Sequence, residues 1–383
     1  MLLALVDGAR SQYPAVEVRV FSPYPEEDRG MGGDFDIVDF RPSDMVLRVF
    51  PAALVSLLTQ RRWKPKRGPA GALAASTVVA DVSGISFMDG RGFVTLVYNV
   101  LIVLLPWAFG VPTIKVAQAL GPFHTRLNRM AARLVLPRVR WIGLRGAETA
   151  AYVRGLGLNN GQMAADVAFL LQTGSAAEEQ AASIVPADRT VTIVAPSAVL
   201  EEACREYSID YVARVSRLVT NLQESGHTVF LLAHSARQEK GEGHTNDLPT
   251  LRRIAQQTRA ELIDDELNAR QLRALIGQAR LLITSRFHAM ISGLATVTPT
   301  FVIGWSHKYG EVLAEFGLEE WAIDFRDLDD DALFEAVRRL DESAASVREA
   351  IESRLPEVRE SARLSIVELL SILKKEEAWT STT

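Results

Sequence analysis

Short runs of β-branched and aliphatic residues recur along this chain, and each is followed by a segment long enough for a helix. TVTIVA at 190–195, TVFLLA at 228–233, LLIT at 281–284 and TFVIG at 300–304 are bounded by small polar residues and turn formers. A strand covered on both faces reads as such a run, and consecutive parallel strands need a helical crossover to join them. The alternation restricts the chain to the α/β class, with parallel sheets flanked by helices and right-handed crossovers. The first half repeats the grammar. Strands are expected at 16–21 (VEVRVF), 77–82 (TVVADV), 113–118 (TIKVAQ) and 140–144, with helices at 1–11, 45–58, 92–105, 125–135 and 148–155. In the second half a single long helix is expected at 201–225, and others at 248–257, 268–278, 309–316 and 330–340.

With 383 residues the chain has length for two domains, each with its own core. Patterning is weakest at 172–188, which places a linker there. The expected division is 1–172, 189–345, a C-terminal helix at 346–375 and a tail at 376–383. The net charge of −5 argues against a nucleic-acid footprint. The lone cysteine, Cys204, rules out an internal disulfide framework, reads as a small packed residue and suits a cytoplasmic setting. The opening MLLALVDGAR has too short an apolar run for a signal peptide. Residues 92–114 carry no charge but are interrupted by Asn99, Pro106, Gly110 and Pro112, so a buried helix is expected there rather than a membrane span. The basic cluster RRWKPKR at 61–67 reads as a solvated loop, with contact to the inner face of an anionic membrane as the other reading.

The chemistry concentrates at 281–308. Ser285, Arg286 and His288 follow an apolar strand, at the sheet edge where ligands bind in open α/β folds. The helix that begins there turns its positive end toward them. The next strand runs out into Trp305, Ser306, His307 and Lys308. A guanidinium, two imidazoles and an ammonium thus converge on one edge, which suits a small, highly anionic ligand beside a proton donor. Alternatives stand next to each. Arg286 could pair with an internal carboxylate such as Asp264 or Asp265, His288 could be structural, and Lys308 could be solvated. Phe287 reads as core, although it borders the same edge. In the first half, Ser83 and Gly84 end a strand with small residues that permit close approach of a ligand. Asp166 could hydrogen-bond at a hinge or line a cleft, and Arg145 could hold an anion or pair with Glu148. His234 and Ser235 end another strand. His124 and His244 read as surface histidines. No metal spacing or phosphate-cradling glycine motif is present.

SRFHAMISGLATVTPTFVIGWSHKYGEVLAEFGL resembles the C-terminal signature of the polysaccharide pyruvyl transferase family. DVSGISFMDGRG from Asp81, QALGPF from Gln118 and DVAFLL from Asp166 fall in the family's order. The resemblance covers roughly residues 1–345. It implies two Rossmann-like domains in a GT-B-like arrangement, the first on the acceptor side and the second on the donor side. Because the family opens with a strand and a Gly-Asp loop before the first helix, the first strand is expected to be missing here. It further implies transfer of a pyruvyl group from phosphoenolpyruvate to a sugar of a cell-surface or exopolysaccharide, forming a ketal and releasing phosphate, with no cofactor and no metal. The acceptor would be a glycan or lipid-linked saccharide, and peripheral membrane contact fits that. The family's arginine, histidine and lysine map onto Arg286, His288 and Lys308; His288 is then the expected general acid, with Arg286 and Lys308 binding the donor. Phe287, Ser285, His307, Ser83 and Gly84 complete the expected substrate-binding set, and Asp166 is the candidate base. Two alternatives remain: a nucleotide-sugar glycosyltransferase on the same frame, and a non-catalytic glycan-assembly protein.

Overall fold

The apolar runs pair as parallel strands. In the computed structural model, residues 1–30, 34–185, 190–236, 246–304, 307–327 and 329–380 are described. They form two units, Met1–Leu171 with Arg359–Thr383, and Gln172–Val358.

The second unit carries a six-stranded sheet. Its order is Glu261–Ile263, Thr228–Leu232, Val191–Ala195, Leu281–Thr284, Thr300–Gly304, Ala322–Asp324. Every pairing is parallel. The three middle strands are buried at every position, as parallel strands covered on both faces should be. The chain runs outward from Val191–Ala195 through two strands, then returns to place Leu281–Thr284 on its other side. The strand order reverses between those two, and a crevice opens at the carboxyl ends of strands at such a switch point.

Two sequence expectations are corrected in this unit. The linker expected at 172–188, whose last three residues lie outside the described ones, contains a helix. Ser175–Ile184 is a helix whose Ala177 and Ala181 pack with Leu272, Leu275 and Ile276. The long helix expected at 201–225 is two, Ala198–Glu206 and Tyr211–Glu224. Ser208 between them has φ +57, in the left-handed region, and Asp210 caps the second by accepting from the Ala213 amide. A left-handed residue cannot continue a right-handed helix, and the capped restart fixes a new axis.

The first unit holds a parallel sheet ordered Val79–Asp81, Thr113–Leu120, Trp141–Leu144, Gly161–Met163, with Ile85–Ser86 also paired to Thr113–Leu120. The strand expected at 16–21 is Arg19–Ser22, and it pairs with Asp36–Asp39 in a separate two-stranded sheet. The long helix Ala344–Thr380 contributes its residues from Arg359 to this unit. There Ile366, Leu369 and Leu370 pack with Ala4, Leu5, Ile114, Val116 and Trp141. The Ser365 hydroxyl accepts from the Ala117 amide (3.4 Å), beside the register shift in Thr113–Leu120, and Ser361 accepts from the Ala165 amide (3.0 Å). Two backbone donors that the sheet leaves unpaired are thus satisfied by this helix. Gly8 lies at the closest approach, where an added Cβ would sit 2.1 Å from Ile366 Cδ1.

The apolar segment forms the helix Gly92–Phe109, continuing through Pro106. Its buried positions are Asn99, Val103, Leu105, Pro106, Ala108 and Phe109, most of them in the second half, whereas Phe93 and Val94 are exposed. Over the whole stretch 33% is buried, so it carries more apolar surface than this fold covers.

Candidate functional site

The switch-point strand Leu281–Thr284 delivers Ser285 and Arg286 at its carboxyl end, and the helix Phe287–Ala295 starts at once. Ser285 is held on three sides. Its amide donates to the Ala195 carbonyl (3.1 Å), its Oγ lies 2.7 Å from the Tyr211 hydroxyl, and its carbonyl accepts from the Tyr309 hydroxyl (3.0 Å). Burial pushes the Tyr211 phenol up, so it stays a neutral donor or acceptor. The Ser285 side chain, expected to contact substrate, is buried here and engaged within the turn. It sets the direction in which the following residues leave the strand.

Arg286 pairs with an internal carboxylate, but not with Asp264 or Asp265. Its Nε donates to both oxygens of Asp247 (3.1 and 2.9 Å), and a terminal nitrogen bonds to Oδ1 as well. Asp247 has no exposed side-chain surface and Arg286 keeps 18%. Asp247 also accepts from the amides of Ala198 (2.9 Å) and Ser235 (3.0 Å). Burial holds its carboxyl above the usual range, while the guanidinium and the two amides pull it back only in part. Asp247 precedes the helix Leu248–Gln257 and thereby ties three strand-end loops together. Asp264 lies beside Arg252 instead (3.7 Å).

Past that pair lie the groups that reach solvent. His288 is exposed, and its ring meets the Phe287 ring edge-on, centroids 5.5 Å apart. Lys308 Nζ sits 5.3 Å from the same ring and 5.1 Å from that of Tyr309. Phe287 is itself buried and packs edge-on to Tyr309. It acts as a platform between an imidazole and an ammonium, consistent with its reading as core. Desolvation, with His288, Arg286 and Arg273 nearby, holds the His234 imidazole down at about 3. His234 is thus a neutral member of a cationic neighbourhood whose buried anion is Asp247. His307 opens the helix His307–Ala314, but its side chain, like Trp305, Ser306 and His244, lies outside the described residues.

The residues expected in the first unit are occupied by the fold. Arg145 pairs with Asp166 at 2.7 Å, both side chains buried, and donates to the Gly84 carbonyl (3.1 Å). Asp166 also caps the 3₁₀ turn Val167–Leu170 by accepting from the Ala168 amide (2.9 Å). A carboxylate so paired is a weak base, and these contacts match the hinge hydrogen-bonding read for Asp166 beside its cleft alternative. Ser83 hydrogen-bonds to Asp81 through amide and hydroxyl. Gly84, at φ +73, has Met1 Sδ 3.6 Å from where a Cβ would stand, and its carbonyl also accepts from Ala119. Asp81 in turn holds the fully buried Lys115, whose Nζ also donates to Ser86 Oγ (3.2 Å). Burial would raise the Asp81 carboxyl, but Lys115 and Ser83 hold it below its ordinary value. The Cys204 thiol is pushed up to about 12 by burial, as a packed, unreactive cysteine should be.

A family model described as polysaccharide pyruvyl transferase matches residues 1–307. The chain belongs to the polysaccharide pyruvyl transferase family. Within reach of this pyruvyl transferase family member is the amylovoran biosynthesis protein AmsJ of Erwinia amylovora, 23% identical over 271 residues, spanning 68% of this chain and 64% of that protein. Among solved structures, a UDP-GlcNAc 2-epimerase of Neisseria meningitidis matches with a TM-score of 0.60 at 10% identity, covering 96% of each chain. The wall teichoic acid polymerase TagF matches with a TM-score of 0.51 at 11% identity, covering 98% of this chain and 85% of that one. At such identities the likeness shows the fold, a GT-B-like pair of Rossmann-like domains.

Proposed function

We propose that the chain transfers a pyruvyl group from phosphoenolpyruvate to two hydroxyls of one sugar in an exopolysaccharide precursor, releasing phosphate, and that it does so in the cytoplasm. The observation that carries this reading is the pairing of His288 and Lys308 about Phe287, at the start of the helix Phe287–Ala295 and the end of the switch-point strand. Phosphoenolpyruvate presents a carboxylate and a phosphate. Lys308 and the first-turn amides of that helix would neutralise one or both. Arg286, held by Asp247, would fix the turn and present its remaining exposed edge to the same anion. His288 would give a proton to C3 of the enol, making an electrophilic centre at C2. One sugar hydroxyl adds to C2, losing its proton. Phosphate leaves with the C2–O electron pair, and the second hydroxyl closes the ketal, losing its proton in turn. A bound phosphate beside His288 favours the imidazolium needed at the start.

The test is a thermal-shift and phosphate-release assay of the purified chain with phosphoenolpyruvate and a glycan acceptor, run beside nucleoside diphosphates. Stabilisation by phosphoenolpyruvate, with phosphate release that His288→Gln abolishes, supports the reading. Stabilisation by a nucleoside diphosphate alone, or undiminished release by His288→Gln, overturns it.

A further inference from the structure

At the opposite edge of the first unit's sheet, before the strands begin, is a recess of about 270 Å³. Pro112 leads into Thr113–Leu120 there and Arg140 leads into Trp141–Leu144. Its charged lining is Arg61, Arg138, Arg140 and Lys375, with no carboxylate. Both Arg61 and Arg138 lie over the Trp107 ring, at 5.1 and 4.9 Å from its centroid, and Arg61 also donates to the Trp107 carbonyl (2.9 Å). Gln60 and Arg61 hold left-handed backbone (φ +53 and +63), and the Arg61 amide closes on the Ser56 carbonyl. The turn that brings Arg61 over the ring is therefore built into the chain rather than a chance pose of a long side chain. Among the described residues none of these four cations is paired with a carboxylate.

Both helices that run out at this recess expose their apolar residues. In the helical run ending at Leu58, Met45, Val49 and Ala53 are buried on one side, while Leu47 (73% exposed), Phe50, Leu54 and Leu58 (76%) recur at three- and four-residue spacing on another. Arg61 is three residues beyond Leu58. In Arg126–Val135, Leu127, Met130 and Leu134 are exposed, and Arg138 donates to the Leu134 carbonyl. Trp63 is exposed among Arg62, Lys64, Lys66 and Arg67, which are exposed too. A nucleic acid would match the charge but leave the leucines in water. A purely apolar partner would strand the cations. A layer with phosphates at its surface and hydrocarbon just beneath matches both.

We propose that this corner of the first unit docks on an anionic lipid bilayer, a lipid phosphate seating among Arg61, Arg138, Arg140 and Lys375 and the leucine stripe entering the acyl boundary. The whole chain is acidic, at −5, so a local patch such as this one, and not net charge, would draw the protein to such a surface and orient it there. The proposal is independent of the transferase reading, because no residue of it belongs to the His288 site.

The test is sedimentation of the full chain with vesicles of phosphatidylcholine alone and of phosphatidylcholine mixed with phosphatidylglycerol. Binding is expected to the mixed vesicles only, and to weaken as salt rises. At roughly fivefold per cation near an anionic surface, Arg138→Gln/Arg140→Gln should weaken it about 25-fold. Leu54→Ser/Leu58→Ser should abolish it, and both variants should melt like the parent because the changed side chains are exposed. Equal binding to neutral vesicles, no binding to either, or inorganic phosphate binding without vesicle binding overturns the proposal. So does a dimer in solution that the leucine variant converts to monomer, which would make this face an interface between copies.

Discussion

Asp247→Asn should destabilise the second unit out of proportion to the one atom changed. The carboxylate accepts from two backbone amides and from the Arg286 guanidinium, with no exposed side-chain surface. Asparagine can keep one amide bond but turns an NH₂ toward a second donor. It also removes the negative charge that faces Arg286, which is only 18% exposed. Removing one member of a buried pair costs about 3–5 kcal/mol, and the partial exposure of Arg286 points to the lower end. At ~2–4 °C per kcal/mol for a domain of this size, a loss of about 3 kcal/mol lowers Tm by roughly 6–12 °C. Arg286→Gln alone should cost about as much, since it orphans the buried carboxylate. The double variant carries no uncompensated charge, so it should fall short of the sum of the singles by about 2 kcal/mol. Circular-dichroism melts and denaturant titrations of the three variants measure that coupling. Additivity within ~0.5 kcal/mol would refute the view that Asp247 and Arg286 act as one unit.

Four further outcomes are expected. His288→Gln should abolish phosphate release while leaving Tm within about 2 °C of the parent, since substitutions at exposed positions stay within ~0.5 kcal/mol; a large drop in Tm would make His288 structural. Lys308→Ala should raise the KM for phosphoenolpyruvate about tenfold or more, and an unchanged KM in steady-state kinetics would remove Lys308 from the donor site. Because the Asp81 carboxyl is held below its ordinary 3.8, the Lys115–Asp81 pair contributes fully above about pH 4 and is lost as pH falls through the depressed folded value. Lys115→Met/Asp81→Leu should therefore show a flatter acid limb in its stability profile, and a parallel limb would refute the assignment. Gly8→Ala should cost about 1–3 kcal/mol by melt, since its Cβ would meet Ile366 at 2.1 Å; parent-like stability would show that Ile366 has room to turn aside.

The sheet frame was legible because a parallel sheet buries both faces of its strands, which leaves unbroken apolar runs. The same property concealed Lys115. In TIKVAQ it reads as the outward residue of an alternating strand, yet all eight positions of Thr113–Leu120 are buried. The 281–308 cluster was legible from strand-end position alone, but the partner of Arg286 was not. Asp264 and Asp265 stood nearer in sequence, whereas Asp247 comes from the loop after Thr228–Leu232, two strands away from Leu281–Thr284. The signal available was local and partial: Asp-Leu-Pro marks a helix start, but the Asp247 carboxylate turns away from its own helix to the Ala198 and Ser235 amides, which no local pattern shows. Asp166 was ambiguous for a related reason. A carboxylate between a loop and an apolar run fits a cleft residue and a cap equally well, and neither its pairing with Arg145 nor its bond to Ala168 could be read from the sequence.

The division of the long C-terminal helix bears on how the chain matures during synthesis. The residues that fill the space beside Ala4, Leu5 and Trp141, and that accept the Ala117 and Ala165 amides, belong to its stretch from Arg359 onward. They leave the ribosome after Gln172–Val358 is complete. The usual vectorial order, in which the N-terminal domain folds first, is therefore inverted. The second unit can close on itself while the first waits with its sheet uncapped. A released chain that ends at Val358 should show a protease-resistant second unit and a protease-sensitive first one.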